Sequence, residues 1–307
     1  MTLLVTGASS FVGAELIRQC RAAGIRVVGL DRAPPAEACD EFIEADIRDP
    51  DLAKRLPGGI DAVVHLAAIA RDSDCRRDPV ACFDVNVTGT ANLFRAMVER
   101  NISRLIFASS EWVYDRFDPG IAKTEDTPID ALALTSEYAL SKLAGEALLK
   151  QQQARHPEIA VTVLRFGIIY GPRHDNWSAV EALLAKVAEG GNVVVGSART
   201  ARGFLHVGDI ARAILAARDR TGFEVFNIQP DRPITLREVV ETAAGLLGHE
   251  CRLVESDPDH PSIRNVSGVL ASQSLGWRAE TDLEAGLRDV AQFLGLLPAK
   301  PVESPDA

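Results

Sequence analysis

Two residues in the segment "YALSK" could together move a proton at a hydroxyl-bearing carbon. Tyr138 and Lys142 stand four residues apart in a predicted helix, so their side chains share one face. A nearby ammonium favours the phenolate form of a tyrosine and lowers its pKa. Tyr138 could then take a proton from a substrate hydroxyl while a hydride leaves the same carbon.

The segment "IFASSEWVYD" could bring further polar groups to the same place. Its strand Arg104–Ala108 ends at Ser109 and Ser110, at the edge where open parallel sheets bind ligands. We expect Ser110 to hydrogen-bond the reacting oxygen and Ser109 to satisfy backbone groups. Glu111 follows directly and could act as an acid or base, bind a substrate hydroxyl, or serve as a structural acid beside a positive neighbour.

Alternating strands and helices over the first 166 residues predict the architecture that positions these groups. Apolar runs predict strands at Leu3–Thr6, Ile25–Leu30, Glu41–Glu44, Ala62–Leu66, Arg104–Ala108, Ala160–Phe166 and Glu224–Ile228. Helical periodicity predicts helices near 11–23, 51–56, 79–100, 136–153, 178–189, 207–219, 235–247 and 282–296. The fold class is therefore α/β, a Rossmann-type doubly wound parallel sheet of about seven strands with a smaller C-terminal substrate-binding part.

The predicted domains interleave along the chain. Residues 1–170 and about 203–228 form the dinucleotide-binding domain, and residues 171–202 and 229–297 form the smaller part. The polar, proline-rich residues 298–307 are expected to be a flexible tail.

The segment "LLVTGASSFVG" predicts a phosphate-binding turn between the first strand and the first helix. Gly7 and Gly13 stand six residues apart, as in glycine-rich dinucleotide loops, and Ser10 replaces the middle glycine, where its hydroxyl could donate to a phosphate of the cofactor. The backbone amides at Phe11 and Val12 begin the helix, and such amides suit a pyrophosphate. An ordinary strand–helix turn is the alternative for this segment alone.

Two later acidic positions match contacts of an adenosine half. Asp31 lies 24 residues after Gly7, near the offset at which an acid meets the ribose hydroxyls. A carboxylate there repels a 2′-phosphate, so NAD is favoured over NADP, although Arg32 could receive that phosphate. Asp46 and Ile47 fit an adenine contact, with a turn acid as the alternative for Asp46. The charge of an oxidised nicotinamide would further favour the Tyr138 phenolate.

Composition excludes several classes of function. The net charge of −10 disfavours nucleic acid and anionic membranes as partners. No apolar run is long enough to predict a membrane span, and the strand at residue 3 leaves no room for a signal peptide, so we expect a cytoplasmic protein. The five cysteines are scattered and expected to be reduced. The six histidines lack metal-ligand spacing, so no metal site is predicted.

Together, these motifs resemble the extended short-chain dehydrogenase/reductase family, in its NAD-dependent epimerase/dehydratase branch. The resemblance covers most of the chain and includes "TGASSFVG", "GLDR", "ADIRD", "VVHLAA", "NVTGT", "FASSEWVY", "YALSK", "RFGIIYGP" and "RGFLHVGDIA". It implies bound NAD(P), a nucleotide-sugar substrate and a homodimer that pairs the helices near 84–100 and 136–153. It implies catalytic roles for Ser110, Tyr138 and Lys142, cofactor contacts from Leu66, Ala67 and Ala68, support of the site by Asn86, and a nucleotide-phosphate contact from Arg202.

The chain departs from the resemblance on the substrate side. Gly167 and Ile168 stand where nucleotide-sugar enzymes usually carry an asparagine, Leu270 replaces a usual lysine, and Arg264 is the nearest second arginine but is out of register. An epimerase acting through transient C4 oxidation is the first reading. The alternatives are a dehydrogenase or reductase of a sugar acid or another small hydroxy or keto compound, and an NAD-sensing regulator. A 4,6-dehydratase ranks lower because Trp112 follows Glu111 where such enzymes carry a second acid.

Overall fold

The computed structural model of the protein describes residues 1–118, 120–174 and 178–298. The strands are β1 Thr2–Thr6, β2 Arg26–Asp31, β3 Glu41–Glu44, β4 Ala62–His65, β5 Arg104–Ser110, β6 Ala160–Phe166, β7 Ile168–Tyr170, β8 Gly191–Val195, β9 Ala201–Arg202, β10 Phe204–His206, β11 Phe223–Ile228, β12 Ile234–Thr235 and β13 Cys251–Glu255. The α-helices are α1 Phe11–Ala22, α2 Leu52–Arg55, α3 Asp72–Arg77, α4 Pro79–Phe83, α5 Thr90–Glu99, α6 Glu137–Arg155, α7 Ala179–Glu189, α8 Val207–Ala216, α9 Leu236–Leu247, α10 Val269–Leu275 and α11 Leu283–Phe293.

Seven parallel strands form the central sheet in the order β3-β2-β1-β4-β5-β6-β11. This confirms the predicted Rossmann-type fold, with strand ends shifted by no more than two residues from the sequence expectation. Strands covered on both faces need continuous apolar runs, and β1 and β4 supply them with Leu3, Leu4 and Val63, all fully buried. Two apolar clusters, one containing Leu3 and the other Leu4, flank the sheet.

The later part of the chain adds a third apolar cluster around Tyr170, Leu184 and Val240. Its short strand pairs are β8 with β13, β7 with β10, and β9 with β12. The same part also contributes to the sheet's own core, because Ala271 of α10 and Trp277 belong to the cluster around Leu3. The boundaries of the two predicted domains stay a prediction, and residues 299–307 of the predicted tail lie outside the described residues.

The helix predicted near 79–100 is helical without a break over residues 79–99, but it is not α-helical throughout. Between α4 and α5, residues Asp84–Gly89 form a π-helical segment. This segment places Asn86 so that its amide bonds both backbone groups of Ile69, at 2.8 and 3.0 Å, and the hydroxyl of Ser141 at 2.9 Å. Asn86 therefore links the loop after β4 to α6. Such π turns are frequent at functional sites.

A buried ion pair fixes α6 against the sheet. Glu146 of α6 accepts two hydrogen bonds from the Arg165 guanidinium of β6, at 3.0 and 2.6 Å, and one from the hydroxyl of Ser109 in β5. Arg165 also donates to the phenol oxygen of Tyr114 at 2.8 Å, and Tyr114 donates to Asn227 of β11 at 2.8 Å. Three strands and α6 are thus held by one polar network.

Breaking this network should destabilise the whole domain. We expect Glu146→Gln to lower the free energy of unfolding by about 3 kcal/mol, because the Arg165 charge stays buried without its counter-charge. Urea denaturation followed by circular dichroism measures the change. The matched control is Glu99→Gln, since Glu99 pairs with Arg95 on the surface and should change stability by less than about 0.5 kcal/mol. Equal effects of the two substitutions would contradict this account.

Candidate active site

The turn between β1 and α1 packs tightly against the loop after β4. Gly7 has a φ of +72°, and a Cβ there would lie 2.6 Å from the backbone nitrogen of Ala67. Gly13 is equally constrained, because its Cβ would lie 2.5 Å from the carbonyl oxygen of Gly7. Ser10 caps α1 by accepting from the Gly13 amide at 3.0 Å. Both glycines are therefore required by geometry, and Ser10 satisfies the helix end.

The amides of Phe11 and Val12 are the first two of α1 and have no partner within the helix. They point away from the helix at its positive end, where an anionic group is stabilised. Leu66 and Ala67, the first residues after β4, donate their amides to the backbone oxygen and the hydroxyl of Thr6, at 3.1 and 3.3 Å. Ala68 continues this loop, so the predicted cofactor segments of β1 and β4 lie side by side.

Asp31 lies at the end of β2, next to the glycine turn. Its carboxylate accepts from the amide of Ser9 at 3.0 Å and from the hydroxyl of Ser9 at 2.6 Å. The other carboxylate oxygen accepts from the backbone amide of Arg32 at 2.7 Å. Ser9 thus fixes the acid beside the turn, in the position that the sequence predicts.

Asp46 and Ile47 lie at the next position along the same edge of the sheet. The Arg48 guanidinium donates to both carboxylate oxygens of Asp46, at 2.9 and 2.7 Å, and these hydrogen bonds lower the pKa of the Asp46 carboxyl. Ile47 is 4% exposed and packs against Gly89 of the π-helical segment. Arg48 also reaches Asp84 at 2.7 Å, so this corner is a charged network rather than a single isolated acid.

Ser110, Tyr138 and Lys142 come together at the carboxyl end of β5. Ser110 is the last residue of the strand, and its hydroxyl accepts from the amide of Trp112 at 3.3 Å. Tyr138 lies in the first turn of α6, which Ser136 caps. Lys142 donates to the carbonyl oxygen of Ala108 at 2.9 Å, and its nitrogen lies 5.9 Å from the centre of the Tyr138 ring. The structure therefore brings together all three residues predicted to be catalytic.

Burial, rather than the lysine charge, dominates the acidity of these groups in the protein chain alone. Burial raises the pKa of Tyr138 to about 12, and a hydrogen bond with Ser110 opposes that rise. Burial also lowers the pKa of Lys142 to about 8. The expectation that the Lys142 ammonium by itself lowers the Tyr138 pKa is corrected, because desolvation of the phenolate outweighs any such effect.

Glu111 lies beside this set and is itself fully buried, in a polar cluster with the partly exposed Arg264 and Arg202. Its carboxylate is 4.0 Å from a guanidinium nitrogen of Arg264, too far for a hydrogen bond. Burial raises the pKa of Glu111 to about 7, while Arg264, Arg202 and Gln229 oppose the rise. Arg202 is tied by its guanidinium to Ser262, with the hydroxyl at 3.0 Å, so its head group is fixed next to Arg264.

Sequence reasoning missed Gln229 entirely and placed Arg264 out of register. Both belong to segments far from "FASSEWVY" in the chain: Gln229 follows β11, and the amide of Arg264 is held by Ala201 of β9 at 3.0 Å. Arg264 stacks on Trp112, with 4.5 Å between the guanidinium carbon and the ring centre. Because Gln229 and Arg264 are far from Glu111 in the chain, no local sequence pattern predicts that the three residues lie together.

The described residues contain neither a metal site nor a membrane-spanning helix. No group of three or more His, Cys, Asp or Glu side chains there is placed to hold a metal ion. None of the helices in those ranges combines the length and apolarity needed to cross a membrane.

Comparisons with known proteins agree with this geometry. Residues 3–228 match the profile of the NAD dependent epimerase/dehydratase family. UDP-glucose 4-epimerase of Streptomyces lividans is 30% identical over 306 residues, covering 89% of this chain and 90% of that protein. A dTDP-glucose 4,6-dehydratase of Streptomyces griseus is 29% identical over 305 residues, covering 93% of this chain and 91% of that protein.

A solved structure, MoeE5 in complex with UDP-glucose and NAD, superposes with a TM-score of 0.83. It is 29% identical to this chain, and the match covers 96% of this chain and 99% of MoeE5. The seven-stranded sheet, the glycine turn and the Ser110, Tyr138 and Lys142 constellation thus occur in a chain that matches such proteins over nearly its whole length. The protein belongs to the NAD dependent epimerase/dehydratase family of extended short-chain dehydrogenases/reductases.

Proposed function

We propose that the protein is an NAD-dependent epimerase that inverts C4 of a nucleotide sugar by transient oxidation and re-reduction. The observation that carries this proposal is the meeting of Ser110, Tyr138 and Lys142 at the sheet edge, next to the glycine turn. A UDP-glucose 4-epimerase relative and the UDP-glucose and NAD complex of MoeE5 support the substrate class.

The residues on the cofactor side fit a dinucleotide. The pyrophosphate would lie at the Phe11 and Val12 amides, where Gly7 and Gly13 leave no room for a Cβ. The Asp31 carboxylate would accept from the adenosine ribose hydroxyls and repel a 2′-phosphate, which favours NAD over NADP. NAD, when bound, supplies the hydride acceptor for the oxidation and the hydride donor for the return.

Asp46 and Ile47 would flank the adenine in this proposal, and the loop Leu66, Ala67 and Ala68 would line the dinucleotide from the β4 side. Arg32 adjoins Asp31 and would serve the same end of the site. Arg48 holds the Asp46 carboxylate in place for the adenine contact.

Proton transfer falls to the residues around Tyr138. The phenolate oxygen takes the proton of the C4 hydroxyl as the carbon is oxidised, and the phenol returns it when the carbon is reduced. The Ser110 hydroxyl hydrogen-bonds the same substrate oxygen and holds it in line. Lys142 is mostly protonated at neutral pH, since its pKa is about 8, and its ammonium together with the charge of the oxidised cofactor offsets the burial that keeps the Tyr138 pKa near 12.

Arg202 is the proposed contact for the nucleotide phosphates, since a guanidinium fork suits phosphate oxygens. One observation favours the alternative, an NAD(P)-dependent dehydrogenase or reductase of a sugar acid or another small hydroxy or keto compound: Gly167 and Ile168 carry no side-chain amide. Net consumption of added NAD would identify that reaction, since an epimerase shows no net redox change.

The proposal extends to the assembly of the protein and its location in the cell. The protein acts on a small molecule in the cytoplasm, as a homodimer formed through α5 and α6. These two helices contact each other along one side of the sheet, and Leu140 of α6 is 37% exposed there.

Removing the phenolic hydroxyl should stop turnover but not cofactor binding. We expect Tyr138→Phe to lower kcat for conversion of UDP-glucose to UDP-galactose by about a hundred- to ten-thousand-fold, the usual range for loss of a general base. NAD content, measured after denaturing the purified protein, should match the wild type. Tyr170→Phe is the control, because Tyr170 lies in the separate apolar cluster of the later part of the chain. Full activity of Tyr138→Phe would overturn the assignment of the base.

Neutralising Asp31 should weaken the choice between NAD and NADP. We expect Asp31→Asn to reduce the ratio of the two dissociation constants by about ten-fold, which is ~1.4 kcal/mol of discrimination. Isothermal titration calorimetry on protein stripped of cofactor measures both constants. Asp51→Asn, at the exposed start of α2, changes the net charge equally and should leave the ratio unaltered. An unchanged ratio in Asp31→Asn would place the ribose elsewhere.

The lone acid Glu111 distinguishes this site from one built for 4,6-dehydration, and its titration can be measured. Because its pKa rises from 4.5 to about 7 on folding, the folded state loses stability as the pH rises between those values. Glu111→Gln lacks this loss. We expect its free energy of unfolding, relative to the wild type, to increase by at most roughly 3 kcal/mol from pH 4.5 to pH 8. A difference that stays constant across this range would show that Glu111 does not titrate there.

A further inference from the structure

The cluster of Glu111, Gln229 and Arg264 contains buried polar atoms that the protein itself leaves unpaired. Among the described residues, both carboxylate oxygens of Glu111, the amide nitrogen of Gln229 and one guanidinium nitrogen of Arg264 have no hydrogen-bond partner within 3.5 Å; Gln229 lies near enough to Glu111 to lower its pKa without such a bond. Glu111 is 0% exposed and Gln229 is 4% exposed. An unpaired buried polar group is costly, so four such atoms together indicate a group that pairs with them.

The chemical character of the four atoms limits what that group can be. Two are acceptors, the oxygens of Glu111, and two are donors, the nitrogens of Gln229 and Arg264. Above the Glu111 pKa of about 7, an anion would satisfy the donors but would be repelled by the carboxylate, and a cation would be repelled by Arg264 and the neighbouring Arg202. A hydroxyl both donates and accepts, so neighbouring hydroxyls match all four atoms without adding charge.

Gln229 supplies the amide that the sequence lacks at position 167. A Cβ at Gly167 would lie 2.8 Å from the side-chain oxygen of Gln229, and one at Gly203 would overlap the same oxygen. The side chain of Gln229 therefore occupies the space that these two glycines leave open. The Gln229 amide, which follows β11, thus lies next to the position where the resemblance leads one to expect an asparagine.

Arg264 and Trp112 form the side of the cluster nearer to Tyr138. The indole of Trp112 lies edge-on to the Tyr138 ring, with 6.3 Å between the ring centres. The Arg264 guanidinium stacks on the face of the same indole. The Arg264 side chain is 16% exposed. Its backbone amide donates to the carbonyl oxygen of Ala201, while one guanidinium nitrogen makes no hydrogen bond and is available to a ligand.

We propose that Glu111, Gln229 and Arg264 form a recognition site for neighbouring hydroxyls of a pyranose ring that reacts at Tyr138. The carboxylate of Glu111 accepts from two hydroxyls, and the amide of Gln229 and the guanidinium of Arg264 donate to their oxygens. This inference rests on the proposed function for the reacting carbon, and it makes Glu111 a specificity-determining residue rather than a proton-transfer group.

The test compares a probe that has the sugar with one that lacks it. Dissociation constants for UDP-glucose, UDP and α-D-glucose 1-phosphate are measured by calorimetry at pH 8 on NAD-loaded wild type, Glu111→Ala, Glu111→Gln and Gln229→Leu. We expect Glu111→Ala to weaken UDP-glucose binding by about ten- to a hundred-fold, and UDP binding by less than about three-fold. Gln229→Leu should weaken UDP-glucose binding by about ten-fold and should likewise change the UDP dissociation constant by less than about three-fold.

Several outcomes decide between this site and other roles. Equal weakening of UDP and UDP-glucose would overturn the proposal, because the cluster would then serve the nucleotide or the fold. A hundred-fold loss of kcat in Glu111→Gln with unchanged UDP-glucose affinity would also overturn it, by making Glu111 a proton-transfer group. The control Glu284→Gln, on the exposed face of α11, should match the wild type throughout.

Failure of the nucleotide-sugar function would be seen separately. If the wild type binds neither UDP nor UDP-glucose, the proposed substrate class is wrong. The hydroxyl site is then tested by comparing the affinities of the wild type and the variants for α-D-glucose 1-phosphate. Binding of that sugar phosphate that is lost in Glu111→Ala and Gln229→Leu supports the hydroxyl site. Binding that is unaffected by either substitution, or no binding at all, overturns it.

Discussion

The active site depends on one buried carboxylate, Glu146, which lies one helical turn beyond Lys142 on α6. Its oxygens bind Arg165 of β6 and Ser109 of β5, so the helix that carries Tyr138 and Lys142 cannot slide relative to the strand that carries Ser110. The hydrogen bond from Lys142 to the Ala108 carbonyl adds a second link between the same two elements. A buried ion pair contributes little net stability compared with apolar packing, but it favours one arrangement because a shifted register would leave charges unpaired.

Adjacent residues of β5 illustrate how this constraint separates structure from chemistry. The hydroxyl of Ser109 donates to Glu146 and so helps to hold α6 on the sheet. The hydroxyl of Ser110 instead hydrogen-bonds the phenol of Tyr138 and accepts from the amide of Trp112 in the following 3-10 turn. Burial then disfavours the charged form of both groups proposed to be catalytic, the phenolate of Tyr138 and the ammonium of Lys142. In the chain alone, the tyrosine is therefore a protonated phenol at neutral pH. A positive charge supplied beside it has a large effect there, because the surroundings are poorly solvated.

The sequence was most informative where a local pattern determines the structure. Buried parallel strands must be continuous apolar runs, which is why β1, β4 and β6 could be located to within two residues, and the four-residue spacing of Tyr138 and Lys142 fixed their shared face. Two features were beyond such patterns. The π-helical segment at Asp84–Gly89 depends on the packing of Asn86 against two distant elements, and the neighbours of Glu111 come from three segments that only the fold brings together. The acidity of Tyr138 also depends on burial, which the spacing of two residues does not reveal.

The two sides of the site differ in how their polar groups are satisfied, and this difference bears on specificity. On the proposed cofactor side, Asp31 is held by Ser9 and Asp46 by Arg48, so the chain itself fixes both acids. On the substrate side, the oxygens of Glu111 and the nitrogens of Gln229 and Arg264 are buried without partners. Fixed groups suit a ligand common to a whole family, whereas unpaired groups penalise any ligand that fails to pair with them. In the proposed site, the physical basis for choosing one sugar over another lies in the second set, and changes among those three residues are expected to alter the substrate without disturbing the turn between β1 and α1.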